Sequence, residues 1–391
     1  MAALDNKKEI EILFWANLNP NKRGSFEDYI CHLASKCRVN RFRIKFALGN
    51  QINDSLRKPF RENSVDYFPL PSMELNSICT MIRVLKNFKP KIIHLHFIGL
   101  GSPLVLACKL MGVRKIILTE HASTLVRRHL GNGSMLEPLK RIKTRFFAGE
   151  IDHFVAVSNF VAGRLRERSH IPHEKITVIY NGVDLARFRP PSDELKKMEW
   201  KRRFFDADES VSVVTFIGQL TEEKGLLVYL ESIQRLLRSH DDILFNFVGA
   251  GPLENLLLHT IKQPGNNMMR FLGLRDDAED ILKASDIVVV PSVWEEAFGL
   301  VIAEASACGV PVIGSRIGGI PEVLLDQETG ILTTPADVDE LVRGIERLLY
   351  DRNLRKYFSD TGRKHAENNF DLQIQVSETV KLYRQCLVKD S

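Results

Sequence analysis

The chain of 391 residues has no apolar run approaching the ~18 residues that would read as a membrane-spanning helix. Its first residues also lack the pattern of a signal peptide: Asp5, Lys7, Lys8, Glu9 and Glu11 precede a short apolar run from Ile12 to Ala16, the wrong charge order and too little length. Cysteine is sparse. Cys31, Cys37, Cys79, Cys108, Cys308 and Cys386 form no C-x-x-C pair and have no nearby His spacing, so neither a zinc site nor a disulfide framework is indicated, and reduced thiols in a cytoplasmic protein are expected. No aspartate pair is spaced for a divalent cation, so no metal is expected. The loop after the first apolar run, Asn17-Leu-Asn-Pro-Asn-Lys-Arg-Gly24, has no G-x-G-x-x-G, which argues against a nucleotide-binding dehydrogenase. No repeat and no low-complexity tract is visible, which removes solenoids.

What is present is ordinary globular composition, 44% hydrophobic and 26% charged, at a length that predicts two domains, with a third allowed by size. Charge is divided unevenly. Residues 1–195 hold 31 basic against 18 acidic residues, net +13, and residues 196–391 hold 23 against 31, net −8. Such a split points to an anionic partner for the first half (an acidic acceptor, a lipid surface or nucleic acid) or to nothing more than a solvated surface.

Short runs rich in Val, Ile and Phe alternate with helix-length segments and read as buried parallel strands. In the first half they are Ile10–Ala16, Arg43–Leu48, Ile92–Phe97, Lys115–His121, His153–Ser158 and Ile176–Gly182. The second half repeats the pattern with Val211–Gly218, Leu244–Gly249, Arg270–Leu274, Ile287–Ser292, Val310–Ser315 and Gly330–Thr333, giving two α/β sheets in tandem. The polar, proline-bearing stretch from Arg187 to Leu195 follows the last strand of the first half and places a hinge near residues 185–200. The expected domains are residues 1–190, residues 191–365 and a C-terminal helix, 366–391, packing back toward the first. Ligands of open α/β sheets bind at the carboxyl ends of strands.

The richest segment runs from Pro291 to Ile313, leaving a strand, crossing a loop and entering a helix. Glu296 in the loop is acceptor-only when ionised and suited to ligand hydroxyls. Glu304 lies on a helix of otherwise small and apolar residues and needs a partner there. The amides of Phe298, Gly299, Leu300 and Val301 would open that helix as an anion site. Taken singly, the two acids read first as a solvated loop charge and an ion-paired helix residue; the whole segment reverses that preference. Lys224, in a glycine-bounded loop, is either a solvated lysine or the cation for a leaving diphosphate. Across Ser134–Gly149 apolar residues at helical spacing alternate with Lys140, Arg141, Lys143 and Arg145, a basic amphipathic helix that either packs on a core or lies on a membrane surface.

The segment holding Glu296 and Glu304 resembles the glutamate-x7-glutamate signature of retaining glycosyltransferases, specifically glycosyltransferase family 4 (group 1). Further matches follow in that family's order: Ile179-Tyr-Asn-Gly-Val-Asp184 with Phe188 and Pro190, then Gly218-Gln-Leu-Thr-Glu-Glu-Lys-Gly225, Val248-Gly-Ala-Gly-Pro252 and Gly318-Gly-Ile-Pro-Glu322. In the first half, Arg23-Gly24-Ser25 stands where the family commonly has a Gly-Gly pair, and Thr119-Glu-His-Ala-Ser123 resembles its active-site histidine segment. The resemblance implies a GT-B fold, two Rossmann-like domains facing a central cleft, and a metal-independent, retaining hexosyl transfer from a UDP- or GDP-sugar to an acceptor hydroxyl. It implies Glu304 on the ribose, Glu296 on the sugar, and Lys224, Gln219 and the Phe298–Val301 amides on the diphosphate. His121 is implied as a positioning and charge-stabilising group, with Arg23, Gly24, Ser25, Arg127 and Arg128 on the acceptor side. Gln219 replaces the family's usual Arg, which leaves more of the phosphate charge to Lys224 or implies a further cation elsewhere. The acceptor would be a glycan, a lipid-linked molecule or a small molecule, not nucleic acid, with cytoplasmic placement and peripheral membrane contact through the first domain. Competing readings are a GT-B sugar-nucleotide epimerase and a noncatalytic basic adaptor for membrane or RNA, the latter leaving the ordered motifs unexplained.

Overall fold

The computed structural model describes residues 9–20, 22–70, 77–121 and 145–388. The chain divides into two compact units, residues 1–182 with 372–391, and residues 183–371.

In the first unit, β1 (Ile10–Ala16), α1 (Ser25–Val39), β2 (Phe42–Gly49), α2 (Asp54–Glu62), β3 (Tyr67–Leu70), α3 (Ile78–Phe88), β4 (Ile92–His96), α4 (Leu104–Leu110), β5 (Lys115–Glu120), β6 (His153–Ala156), α5 (Asn159–Ser169) and β7 (Ile176–Val178) follow in order. The sheet order is β3-β2-β1-β4-β5-β6-β7, with every pair parallel. β3 is absent from the strands expected from sequence. Its Tyr-Phe-Pro-Leu carries a proline and is largely solvent-facing, tolerable only because the strand is at an edge.

Register explains the core. Phe46, Phe14, His94 and Ile117 lie side by side across four strands, and Ala16, His96 and Thr119 form the neighbouring row. Because side chains alternate along a strand, Ile92, His94 and His96 share one face. α1 covers that face with Tyr29, Ile30, Leu33, Ala34 and Cys37, the spacing of one helical stripe.

The second unit contains α6 (Glu194–Phe205), β8 (Ser212–Ile217), α7 (Leu226–Leu236), β9 (Ile243–Val248), α8 (Glu254–Ile261), β10 (Met269–Phe271), α9 (Ala278–Ala284), β11 (Ile287–Val290), α10 (Leu300–Ala307), β12 (Val312–Ser315), α11 (Ile320–Val323), β13 (Gly330–Thr333), α12 (Val338–Tyr350) and α13 (Arg352–Asn369). Its parallel sheet has the order β10-β9-β8-β11-β12-β13. α14 (Leu372–Val388) then returns to the first unit, where Leu372, Val376, Val380 and Tyr383 join the α1-covered core.

The stretch expected to act as a hinge is instead anchored within the second unit. Phe188 is buried, its carbonyl accepts from Arg363, Arg187 pairs with Glu279 at 2.8 Å, and Asp193 caps α6. The chain passes between units earlier, at 182/183, and again at 371/372, where the expected single terminal helix is broken into α13 and α14. Among the described residues, no helix is long and apolar enough to cross a membrane.

Candidate active site

In each sheet the strand order reverses once, at β1/β4 in the first and at β8/β11 in the second. Loops at such a point diverge to opposite faces of the sheet and leave a crevice at the carboxyl ends of the strands. Among the described residues, Gln219, Lys224, Glu296 and Phe298 lie on the loops after β8 and β11, Arg23 and Gly24 on the loop after β1, Ser25 at the start of α1, Leu300, Val301 and Glu304 on α10, and His121 just after β5, next to β4.

In the second unit, the loop after β8 carries Gln219 and Lys224, and the loop after β11 carries Ser292 and Glu296. The two loops are tied by the Val293 amide, which donates to the Glu223 carbonyl at 3.0 Å. Gly225, at φ +76°, starts α7 so close to Pro291 that a Cβ would lie 1.8 Å from the proline carbonyl oxygen, so only glycine lets these loops meet. Lys224 Nζ then donates to Glu296 Oε1 at 2.6 Å, and Ser292 Oγ donates to the same oxygen at 2.7 Å. Lys224 is therefore not an exposed loop lysine: its side chain is 35% accessible, that of Glu296 16%, and they form a charge-assisted pair. Sequence reasoning assigned these two residues to different parts of a ligand and did not foresee the pair, nor Ser292, whose serine at a strand end carries no distinguishing signal.

The loop motif at Gly318-Gly319 buttresses the same place. A Cβ on Gly318 would lie 2.3 Å from the Glu296 carbonyl oxygen, and the Gly319 amide donates to that oxygen at 2.8 Å. Gly299, at φ +97°, is the N-cap of α10, so the amides of Gly299, Leu300 and Val301 head the helix, where no intrahelical acceptor exists for them. Phe298 contributes only backbone there, since its ring is buried edge-to-face on Phe370. Glu304 is buried, 8% accessible, on α10. Gln219 is exposed.

In the first unit, Arg23 pairs with Asp28 at 3.0 Å. Gly24 caps α1, and its amide donates to Glu27 Oε2 at 3.0 Å, while Ser25 is buried at the helix start. Burial pushes the Glu27 carboxyl up, opposed by the amides it accepts from. Arg127, Arg128 and the expected basic helix through residue 144 lie outside the described residues.

His121 follows β5 directly. Its ring stacks on Phe97 (centroids 4.3 Å apart), meets Phe26 edge-on, and its Nε2 lies 2.9 Å from His96 Nδ1. His94, two residues before His96 on the same face, bonds Tyr383 Oη at 2.8 Å and Thr119 Oγ1 at 2.7 Å. Burial holds His94 and His121 neutral, pushing each down to about 3, and drives His96 well below the usual range. The alternation His94-Leu-His96 in β4 is the sequence signal for this cluster, whereas the family resemblance points to His121 alone.

Two Rossmann-like units with these loop constellations define the GT-B class of glycosyltransferase. A profile described as "Glycosyl transferases group 1" matches residues 198–365, and one described as "Glycosyltransferase Family 4" matches residues 47–187. The chain belongs to this family. It is 32% identical over 312 residues, 76% of this chain and 69% of the relative, to the D-inositol 3-phosphate glycosyltransferase of Salinispora arenicola. It is 27% identical over 349 residues, 84% of this chain and 86% of the relative, to an Escherichia coli UDP-Gal:alpha-D-GlcNAc-diphosphoundecaprenol alpha-1,3-galactosyltransferase. The fold matches the crystal structure of a glycosyltransferase from Rickettsia africae with a TM-score of 0.77 over 97% of this chain and 99% of that one, at 22% identity.

Proposed function

We propose that the protein transfers a hexose from a UDP- or GDP-sugar to an acceptor hydroxyl with retention at the anomeric carbon and without a metal. The observation that carries this reading is the Lys224–Glu296 pair at the switch point of the second sheet, joining the loop that leads into α7 to the loop that leads into α10. A nucleotide-sugar offers a diphosphate for Lys224, Gln219 and the amides of Phe298 to Val301, a sugar hydroxyl for Glu296 and ribose hydroxyls for Glu304. Departure of the nucleotide builds negative charge on the phosphate, and fixed donors aimed at it are the main catalytic term. Lys224 and the helix amides would supply what a metal supplies elsewhere. Retention is the stereochemistry that the family resemblance implies, with the leaving phosphate taking the acceptor proton.

On the first unit, His121 would offer a ring nitrogen to a substrate oxygen, and Arg23, Gly24 and Ser25 would lie toward the acceptor; Arg127 and Arg128, outside the described residues, are assigned to the acceptor by the family resemblance alone. The relative that uses a diphosphoundecaprenol-linked acceptor, together with the +13 charge of residues 1–195, supports a lipid-linked or otherwise anionic acceptor over a neutral one. Cytoplasmic placement with peripheral contact on the inner face of a membrane belongs to the same reading.

The test is a thermal-shift screen of UDP, GDP, ADP and their sugars, followed by turnover of each stabilising sugar with and without EDTA. A ligand at 100 times its dissociation constant adds about 2.7 kcal/mol to the folded state. Stabilisation by a UDP- or GDP-sugar, with an α-configured product and EDTA-insensitive turnover, is expected. Activity abolished by EDTA and restored by magnesium would overturn the metal-free mechanism, and conversion of the sugar-nucleotide without any acceptor would favour an epimerase.

A further inference from the structure

We infer that His96 fixes His121 as its Nδ1–H tautomer, so that His121 meets a substrate oxygen as a hydrogen-bond donor and cannot serve as a base through Nδ1. His96 Nδ1 and His121 Nε2 lie 2.9 Å apart. Both rings are neutral, so the two facing nitrogens share a single proton and one ring must donate to the other. Two arrangements are available. If His121 donated, His96 would carry its own proton on Nε2, which is buried and has no hydrogen-bond partner among the described residues. His96 is 1% accessible, packed face-to-face on Phe14 at 4.1 Å, so that N–H would be stranded in an aromatic core. If His96 donates from Nδ1, only a lone pair is stranded. Orphaned buried N–H groups are rarer than under-satisfied acceptors, and the second arrangement follows.

His94 shows why the constraint is particular to His96. Both of its nitrogens face hydroxyls, Tyr383 Oη and Thr119 Oγ1, and a hydroxyl donates or accepts equally well, so neither tautomer of His94 is imposed. In His121 the proton placed on Nδ1 has no hydrogen-bonding partner among the described residues, and the ring is held against Phe97 and Phe26. His96 is thus a positioning residue: it sets which proton His121 presents. The consequence for turnover rests on the proposed function, because it requires His121 to meet substrate; the tautomer assignment does not.

The experiment uses the full chain labelled with 15N-histidine, with long-range 1H–15N spectra recorded without ligand and the His121 signals assigned by difference from His121→Asn. The parent is expected to show His121 protonated at Nδ1. His96→Asn, whose amide N–H falls near the original Nδ1, should keep that pattern and keep turnover within about threefold; His96→Leu should shift His121 toward Nε2–H. With a sugar donor, His96→Leu should lower kcat roughly tenfold and leave KM for the donor within twofold, as partners that orient a functional histidine are commonly worth roughly 10–100-fold. A parent spectrum with His121 protonated at Nε2 overturns the inference, as does a His96→Leu protein that is folded and unchanged in both spectrum and kcat. If His96→Leu does not fold, the parent and His96→Asn spectra decide. The expected tautomer in a protein that turns over no nucleotide-sugar would leave this inference standing and sink the proposed function alone.

Discussion

Both units hold candidate residues on the loops that follow their central strands, yet the lysine–glutamate site and the histidine site differ in electrostatics. In the second unit a full cation and a full anion meet at 2.6 Å on two loops locked by glycines. In the first, the groups around His121 are imidazoles kept neutral by burial among Phe14, Phe26, Phe97 and one another, while the charged Arg23–Asp28 pair sits apart at the head of α1. A charged pair suits a ligand whose charge changes during reaction, whereas a neutral donor in an aromatic setting suits orientation of an uncharged hydroxyl. The same backbone geometry therefore serves two kinds of recognition, and the difference lies in the residues at strand ends.

The largest expected effect separates the units by acid. His94 and His96 are buried and neutral in the folded state but titrate near 6.5 when unfolded, so the unfolded state binds more protons as pH falls. Their contribution is fully present above about pH 6.5 and is lost as pH falls below it, for His94 toward about 3 and for His96 likewise well below the usual range, at up to roughly 1.4 kcal/mol per pH unit for each. The second unit has one histidine pushed the same way, His365; its Asp286, held low by Lys197 and Lys201 against burial, keeps its contribution until near pH 3.8 and below. Hydrogen exchange between pH 7 and 4.5 should show protection falling faster in residues 9–120 than in residues 212–333. Equal loss in both would break the contrast.

Next in size is Lys224→Ala. Removing one fixed donor from a charge-building transition state costs roughly 10²–10³ in kcat, and the change also strands Glu296. Turnover within tenfold of the parent would mean that this pair is structural. A finer division is expected between the two acids: Glu304→Ala should weaken nucleotide binding about tenfold, while Glu296→Ala should lower turnover and leave nucleotide affinity within about threefold, since ribose contacts persist in the product and sugar contacts change during reaction. Calorimetry on both variants, with steady-state rates, checks this. Equal losses of affinity would erase the assigned roles.

Much of the second unit could be read in advance because its strands are continuous apolar runs ended by turn-forming residues, as in Ile243–Val248 before Gly249-Ala-Gly251. Tertiary facts could not. The Lys224–Glu296 bond joins residues 72 apart, and nothing in either loop alone pairs them. β3 was hidden by Pro69, and the Arg187–Leu195 stretch looked like linker because its prolines and charges hide one buried ring, Phe188, and one internal ion pair. In the first unit, His94 and His96 sit where an apolar strand pattern wants Ile or Val. Only the registry with Phe14 and Thr119, and the arrival of Tyr383 on α14 from almost 300 residues away, gives those imidazoles partners.

Under the proposed function, the second unit would hold the nucleotide by charge, and His121 would act on the first unit as a neutral donor with no part in nucleotide binding. Titrating UDP and GDP calorimetrically into the parent protein, Lys224→Ala and His121→Asn tests it directly. One nucleotide should bind the parent, its affinity should fall at least tenfold in Lys224→Ala, and His121→Asn should match the parent within about twofold. Nucleotide binding that survives Lys224→Ala unchanged, or that His121→Asn weakens as much as Lys224→Ala does, would contradict the account.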